Sequence, residues 1–465
     1  MRKGVFELIQ KPDVSKTIQM DTENMAKLIM NFSMPAMIGM LASAVYNIVD
    51  RIFVGQYSGP DGLAAITLSF PTMIVMFAFA LLFSVGGSSR VAILRGAKKQ
   101  RPAEQALAHT VMLLAFVGIM SAWVSFFGVR WLLMISGASA KIMPLGETYL
   151  TIILLGGPLA LMGHGVSSLV RACGAPRYAM AAQVTGAIAN IALDAYFIAG
   201  LGMGVAGAAL GTVMAQGAAT LAGLAYFFTK SSPLRLRLHF FLRPKLKVIK
   251  KICAVGVAPF FVELSFFLIM TVMNNMIYRY GGDMALSALG IFSSLDSLLF
   301  LPAMAIGEAA QPIVVYNYGA GKPGRVIDAI KIASMLSTAF YVVSFIFSEI
   351  FAPELMALFN NDPELLAIGV PGMRIGYLGI VFVGVPIVTI SALQGLGRVR
   401  ESLFLSLFRH AFFMFLPMII LPKFFGIWGV WLAFPVGDVC GSLMSIYFLS
   451  RLIKWLKSPA ALVVD

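Results

Sequence analysis

The chain has 465 residues, of which 59% are hydrophobic and 12% charged, with a net charge of +14 and a mean hydropathy of +0.88. Soluble domains carry about 25% charged residues, so this composition excludes a soluble fold and points to an all-α, polytopic protein whose surroundings are the lipid bilayer. The basic residues sit in loops between apolar runs rather than in one patch, which excludes nucleic acid as a partner.

A spanning helix needs about 20 apolar residues. Twelve spans are predicted, at 28–54, 63–94, 105–128, 143–170, 177–201, 204–229, 250–279, 285–316, 327–348, 366–394, 400–422 and 427–453. Residues 1–27 are polar and of mixed charge, so no cleavable leader is expected. Cys173, Cys253 and Cys440 stand singly, with no metal-ligand spacing and no disulfide expected.

The first span carries Pro35 near its middle and the pair Tyr46 and Asp50, four residues apart and so on one helix face. An intrahelical proline removes a hydrogen bond and favours a kink, either a static bend or a hinge. Asp50 reads as a buried functional carboxylate or as a helix-end residue paired with Arg51. The fourth span holds His164, which reads as a packed histidine. The fifth carries Asn190 and Asp194, again four apart, in strongly apolar surroundings. A carboxylate at that depth is costly and is by default a functional-site hypothesis. A glycine-rich turn follows, and the sixth span opens with Thr212 near its top. Counted from the helix ends, Asp50, Asp194 and Thr212 all fall within roughly 6–12 Å of the outer rim. Thr212 could instead bond its own helix.

Between residues 230 and 251 lie Pro233, Pro244 and eight basic residues, a cytoplasmic linker suited to an anionic leaflet. The chain therefore divides into an N-terminal lobe at 1–229, a linker at 230–249 and a C-terminal lobe at 250–465. In the second lobe Glu263, Asp296 and Glu308 fall within spans, open between lumen-facing function and structural pairing.

Two patterns organise the whole. With the N-terminus inside, 29 of the 35 Lys and Arg fall on the inner side, so both termini are expected in the cytoplasm. The chain also repeats: Gly96 to Lys99 correspond to Gly319 to Lys322, and Gly174 and Arg177 to Gly397 and Arg400, at an offset of 223. Gly204 and Gly207 correspond to Gly426 and Gly429 at 222. Six spans per repeat is an even number, so the halves are two six-helix bundles related by a parallel repeat about the membrane normal. The offset brings no acidic residue of the second half onto Asp50 or Asp194. No phosphate loop, metal cluster or nucleophile with a base at useful spacing occurs, and no enzyme activity or cofactor is expected.

These residues resemble the MATE (multidrug and toxic compound extrusion) transporters over nearly the whole chain. The resemblance rests on Asp50 followed by Val54-Gly55 and Leu63-Ala64-Ala65, on Arg171 to Pro176, on Asn190 to Asp194 followed by Gly204 and Gly207, and on Gln311-Pro312 before Asn317 to Ala320. It looks like the bacterial, DinF-like branch. That branch has a proline-kinked first helix, a Tyr and Asp four apart, an Asn and Asp four apart, and a Thr in the sixth helix. Pro35, Tyr46, Asp50, Asn190, Asp194 and Thr212 match. The NorM-like branch uses acidic residues in helices 7 and 10, and the tenth span here has neither Asp nor Glu. The resemblance implies a monomeric antiporter in the bacterial cytoplasmic membrane. It would export small amphipathic cationic drugs or dyes against H⁺ or Na⁺. Asp50 and Asp194 would take the coupling cation, Tyr46, Asn190 and Thr212 would supply hydrogen bonds, and Na⁺ would sit at Asp50, Asn190, Asp194 and Thr212. The alternatives are a lipid-linked precursor flippase of the related superfamily, which calls for a strongly cationic cavity, and a membrane transferase, which calls for sizeable loops.

Overall fold

The computed structural model describes residues 20–458 apart from 21, 137, 139, 238 and 359–361. Among the described residues the regular structure is entirely helical. The order is α1 (Met25–Gly59), α2 (Asp61–Gly96), α3 (Gln100–Phe127), α4 (Val129–Ile135), α5 (Met143–Leu155), α6 (Gly157–Ala172), α7 (Pro176–Asp194) and α8 (Gly204–Ala225). Then come α9 (His239–Leu242), α10 (246–281), α11 (283–319), α12 (Pro323–Ile350), α13 (Ala352–Ala357), α14 (Pro363–Tyr377) and α15 (Gly384–Gly395). The chain closes with α16 (Val399–Leu407), α17 (Phe415–Ile420), α18 (Pro422–Phe425) and α19 (Ile427–Leu456).

Local chemistry accounts for the helix starts. Asn24 caps α1, its side-chain oxygen accepting from the backbone N–H groups of Ala26 and Lys27 at 3.1 and 3.3 Å. Asp362 caps α14 in the same way, with Pro363 at the first helical position, where a missing N–H costs nothing.

Among the described residues nine helices are long and apolar enough to cross a membrane, and α5 with α6 makes a tenth, bent by 51°. That bend falls at Gly156-Gly157-Pro158, where proline cannot continue the hydrogen-bond ladder. The expected spans 366–394 and 400–422 are interrupted. The first is α14, a 3₁₀ turn at Ile380–Phe382, then α15; the second passes through a π-helical turn at Phe408–Phe412 and restarts at Phe415 and again at Pro422. The protein is a multi-pass membrane protein.

The expectation of a loop between the first two spans is replaced by something tighter. One helical run passes from Met25 to Gly96 and breaks only at Gly59, with φ 65° and ψ −166°. The run from Leu246 to Gly319 breaks at Gly282, with φ 67° and ψ −161°. That backbone region is open essentially to glycine alone. Gly59 and Gly282 stand 223 residues apart, the offset of the repeat, as do the positive-φ pair Gly174 and Gly397 and the pair Lys98 and Gly321. The internal repeat is thus written into the backbone as well as the sequence.

Two compact units emerge. One comprises Met1–Phe260 with Val315–Gly321; the other comprises Phe261–Val314 with Lys322–Asp465. In the first, Val54, Ile66, Tyr149, Ile153, Ile198, Val205, Ala208 and Ala209 form a core that joins α1, α2, α5 and α8. At the other end of α2, a Cβ on Gly96 would overlap the Tyr316 carbonyl, and one on Gly319 would overlap the Ile93 carbonyl. The residues of this reciprocal contact are themselves repeat-related, and the Arg95 guanidinium lies 5.6 Å from the Tyr316 ring centre. The segment after α8 is tied along α3. Gln100 donates to the Pro233 carbonyl, Arg237 pairs with buried Glu104 at 2.6 Å, and the Lys245 N–H donates to His109 Nε2 at 2.8 Å. The second unit is built on a large aromatic core around Phe292, Tyr341, Tyr377 and Trp431.

Candidate functional site

Asp50 lies in the C-terminal half of α1, and Asp194 is the last residue of α7 before a π-helical turn at Ala195–Gly200. A π turn widens the helix by one residue, and such turns recur at functional sites. Both side chains point inward: Asp50 is 6% exposed and Asp194 fully buried, whereas Arg51 is exposed. The two carboxyl groups face each other within hydrogen-bonding range. Asp50 therefore belongs to a buried carboxyl pair and is not turned outward with Arg51.

Asn190 sits one helical turn before Asp194 on the same face, and it is also buried. Its Nδ2 donates to Asp194 Oδ1 at 3.4 Å and to Thr212 Oγ1 at 3.5 Å. Both bonds are at the long end of the hydrogen-bond range. Among the described residues three buried oxygens here have no hydrogen-bond partner: Asp50 Oδ1, Asn190 Oδ1 and Asp194 Oδ2. Buried polar atoms are normally satisfied. Three orphaned oxygens around one carboxyl pair form a donor set of the hard-oxygen kind that accepts a proton or a small cation. The Tyr46 hydroxyl lies in reach of the Gln216 side chain and in the electrostatic field of both carboxyls.

Three more residues shape this place, none of them anticipated from the sequence. Gly211 precedes Thr212, and a Cβ there would overlap Asp194 Oδ1, so only glycine lets α8 approach the carboxyl. Gln216 follows Thr212 by four residues on α8; the one-face spacing that links Asn190 to Asp194 could have found it. Tyr149, from α5, is buried in the adjoining apolar core and within the field of Asp50 and Asp194. Nothing in the local sequence marks Tyr149, because its role depends on which helix packs beside α1.

Pro35 sits inside α1, which stays helical through it; the non-helical backbone of this run is at Gly59. One turn after Pro35, a Cβ on Gly39 would overlap Gln183 Oε1 of α7. His164 packs edge-on against Phe77 at 5.0 Å.

The sequence profile of the MatE family matches residues 35–196 and 259–418, well over half of the chain and in both lobes. The chain belongs to the MATE family. It is 25% identical over 428 residues to the multidrug export protein MepA of Staphylococcus saprophyticus, covering 91% of this chain and 94% of that one. It is 26% identical to MepA of Staphylococcus aureus strain MW2 over the same shares. Among solved structures it superposes with a TM-score of 0.90 on the outward-facing conformation of a multidrug resistance MATE transporter, at 25% identity, over 95% of this chain and 99% of that one. A similar match, again with a TM-score of 0.90, is to a MOP superfamily transporter from Pyrococcus furiosus. MATE structures have twelve helices in two bundles, as expected from the spans of this chain.

In this MATE protein the second-lobe acidic residues lie apart from the carboxyl pair in sequence and in compact unit. Glu263, on α10, is half-buried. Glu308, on α11, is half-buried between fully buried neighbours, Ala305 and Ala309. Asp296, also on α11, is half-buried and lies in the electrostatic field of Arg409, within the π turn after α16, and of Asp438 on α19. Arg409, counted from the sequence among the inner basic residues, is committed to Asp438 at 3.1 Å within the helices. Among the described residues no cluster of three or more His, Cys, Asp or Glu is disposed to hold a metal.

Proposed function

We propose that the chain is a secondary active multidrug efflux antiporter, exporting small amphipathic organic cations against inward H⁺ or Na⁺. The observation that carries this reading is the buried pair of carboxyls, Asp50 and Asp194, drawn from two helices and surrounded by orphaned oxygens. Two like charges about 4 Å apart repel by ~4 kcal/mol at an effective dielectric of 20. The pair is therefore comfortable only with a proton, a metal cation or a cationic substrate between or beside the carboxyls. Cargo and coupling ion then exclude each other at one place, which is what obligatory exchange requires. Asn190 and Thr212 orient Asp194, and Tyr46 lines the same space. Binding the coupling ion removes the charge that retains the drug, and each state of charge favours its own arrangement of the helices.

Related proteins support the reading: the MepA relatives are multidrug export proteins, and a solved MATE relative has been captured in both a straight and a bent conformation. In this proposal the bending element is α1, with Pro35 as its hinge. The protein works as a monomer in the bacterial cytoplasmic membrane with both termini inside. Its lobes are 1–229 and 250–465, joined by the linker 230–249.

The test is drug export from proteoliposomes under imposed pH or Na⁺ gradients. Asp194→Asn is expected to abolish gradient-driven efflux of a cationic dye while leaving expression and thermal stability near wild type. Full efflux from that variant would refute the assignment. Efflux driven by a pH gradient alone identifies H⁺ as the coupling ion, and efflux that follows only a Na⁺ gradient identifies Na⁺.

A further inference from the structure

The end of α2 that carries Arg90, Arg95, Lys98 and Lys99 is cytoplasmic in the proposed topology. There α2 meets the end of α11 at Gly96 and Gly319, backbone against backbone. The residues of α11 at this crossing, Val315–Gly321, lie in the first compact unit, although Phe261–Val314 of the same helix lie in the second. Glycines let two helix backbones approach with no side chain between them. At that point the helices can part without a core being repacked.

One contact reaches this crossing from far along the chain. Asn317 stands two residues before Gly319 and is fully buried. Its Nδ2 donates to the Met20 carbonyl at 3.0 Å, across 297 residues of sequence. Met20 is 2% exposed, whereas Thr22 and Asn24 are exposed. The Met20 side chain is thus inserted while the chain after it runs over the surface. At its other end the segment is fixed by the Asn24 cap, beyond which Leu28, Ile29 and Phe32 bury the first turns of α1. The internal repeat marks Asn317 as an exception. Its counterpart, 223 residues earlier, is Leu94, which is 4% exposed. Leucine fills that position in the first half, so packing alone does not call for an amide in the second. A buried amide is costly unless it is hydrogen-bonded.

We propose that residues 20–24 form a strap that locks the α2–α11 crossing, with Asn317 as its latch. The inference rests on the antiporter reading given above: exchange requires the protein to open toward the cytoplasm, and the crossing sits at that end. Opening draws Asn317 away from the Met20 carbonyl and uncovers the Met20 side chain, while the Asn24 cap keeps α1 intact. Closing restores both contacts. One neutral hydrogen bond and one buried side chain are weak enough to break in every cycle.

The test uses a cysteine-free variant carrying Met20→Cys, which keeps the latch because the bond is to the backbone carbonyl. In inside-out membrane vesicles an impermeant maleimide is expected to label this cysteine slowly. Asn317→Leu, which copies the repeat counterpart, and Asn317→Ala should each speed labelling roughly tenfold, the factor that loss of one buried hydrogen bond supplies. An unchanged rate in both variants overturns the proposal. A second arm pairs Met20→Cys with Asn317→Cys and joins them with a short, reducible bis-thiol reagent. Gradient-driven dye efflux is expected to be lost on bridging and to return on reduction, and a monofunctional reagent of the same chemistry should leave it in place. Failure of the bridge to form overturns the proposal, as does a bridged protein that exports at the unbridged rate. Labelling is read without transport. It therefore judges the strap even if the wild-type protein exports nothing, a result that would sink the antiporter reading alone.

Discussion

At the scale of single residues, the carboxyl pair depends on a residue with no functional group at all. Gly211 leaves the space that Asp194 Oδ1 occupies. Gly211→Ala overpacks that contact, and such overpacking costs about 1–3 kcal/mol. Dye efflux is expected to fall severely while the protein still reaches the membrane, measured as transport per folded molecule. Gly290 is the control: it lies within α11, and among the described residues no neighbouring element would meet a Cβ there. Gly290→Ala should leave transport intact and leave the melting temperature unchanged or raised, since alanine is the better helix former by about 1 kcal/mol. The Asn190 bonds are long, so Asn190→Ala is expected to lose coupling, read as the dependence of efflux on the gradient, well before it loses stability. The one-face spacings of Tyr46 with Asp50 and of Asn190 with Asp194 were legible, because helical periodicity is a local property. Matching depths and the family resemblance put Asp50 and Asp194 at one site, but Tyr149 and Gly211 beside them were not legible. They lie far apart along the chain, and only helix packing makes them neighbours.

At the scale of elements, the conspicuous breaks are glycine breaks. Gly59 and Gly282 hold the same unusual backbone conformation, and among the described residues no other part of the protein would meet a Cβ there. Substitution there would be opposed by backbone strain alone, about 1–3 kcal/mol. Gly59→Ala and Gly282→Ala should each lower the melting temperature by a similar amount, and the double variant by the sum, because the two sites belong to different compact units. The sequence marks Pro35 as a static bend or a hinge of α1; helical backbone continues through it, and the non-helical position of this run is Gly59. A helix tolerates a proline when neighbours absorb the bend, whereas a φ of 65° at Gly59 ends the helical geometry outright. The π turn after Asp194 has no sequence signature, since it arises from fitting one more residue between Asp194 and the Gly202 turn.

At the scale of the whole molecule, the basic stretch after α8 is more than a tether. Buried Glu104 holds Arg237, and His109 accepts from the Lys245 backbone, so this stretch is pinned to α3. Breaking a fully buried ion pair costs about 3–5 kcal/mol. Arg237 is half-exposed, so Arg237→Ala should cost clearly less, yet trypsin should cut the linker faster in that variant than in wild type. Topology is testable in intact cells carrying a cysteine-free variant. An impermeant maleimide is expected to label Lys141→Cys from outside, and Lys247→Cys only after the membrane is opened.

Composition, hydropathy and the distribution of basic residues determined the fold class, the spans and the internal repeat before any coordinates were considered. These are sums over many residues, and burial in lipid imposes them along the chain. The tertiary structure decided which faces meet: Asp50 against Asp194 in one unit, and Arg409 against Asp438 in the other. An apolar helix surrounded by lipid and other apolar helices carries almost no sequence mark of its partner. Close approach at glycines and the pairing of buried charges select the neighbour, and both exist only once the helices have packed.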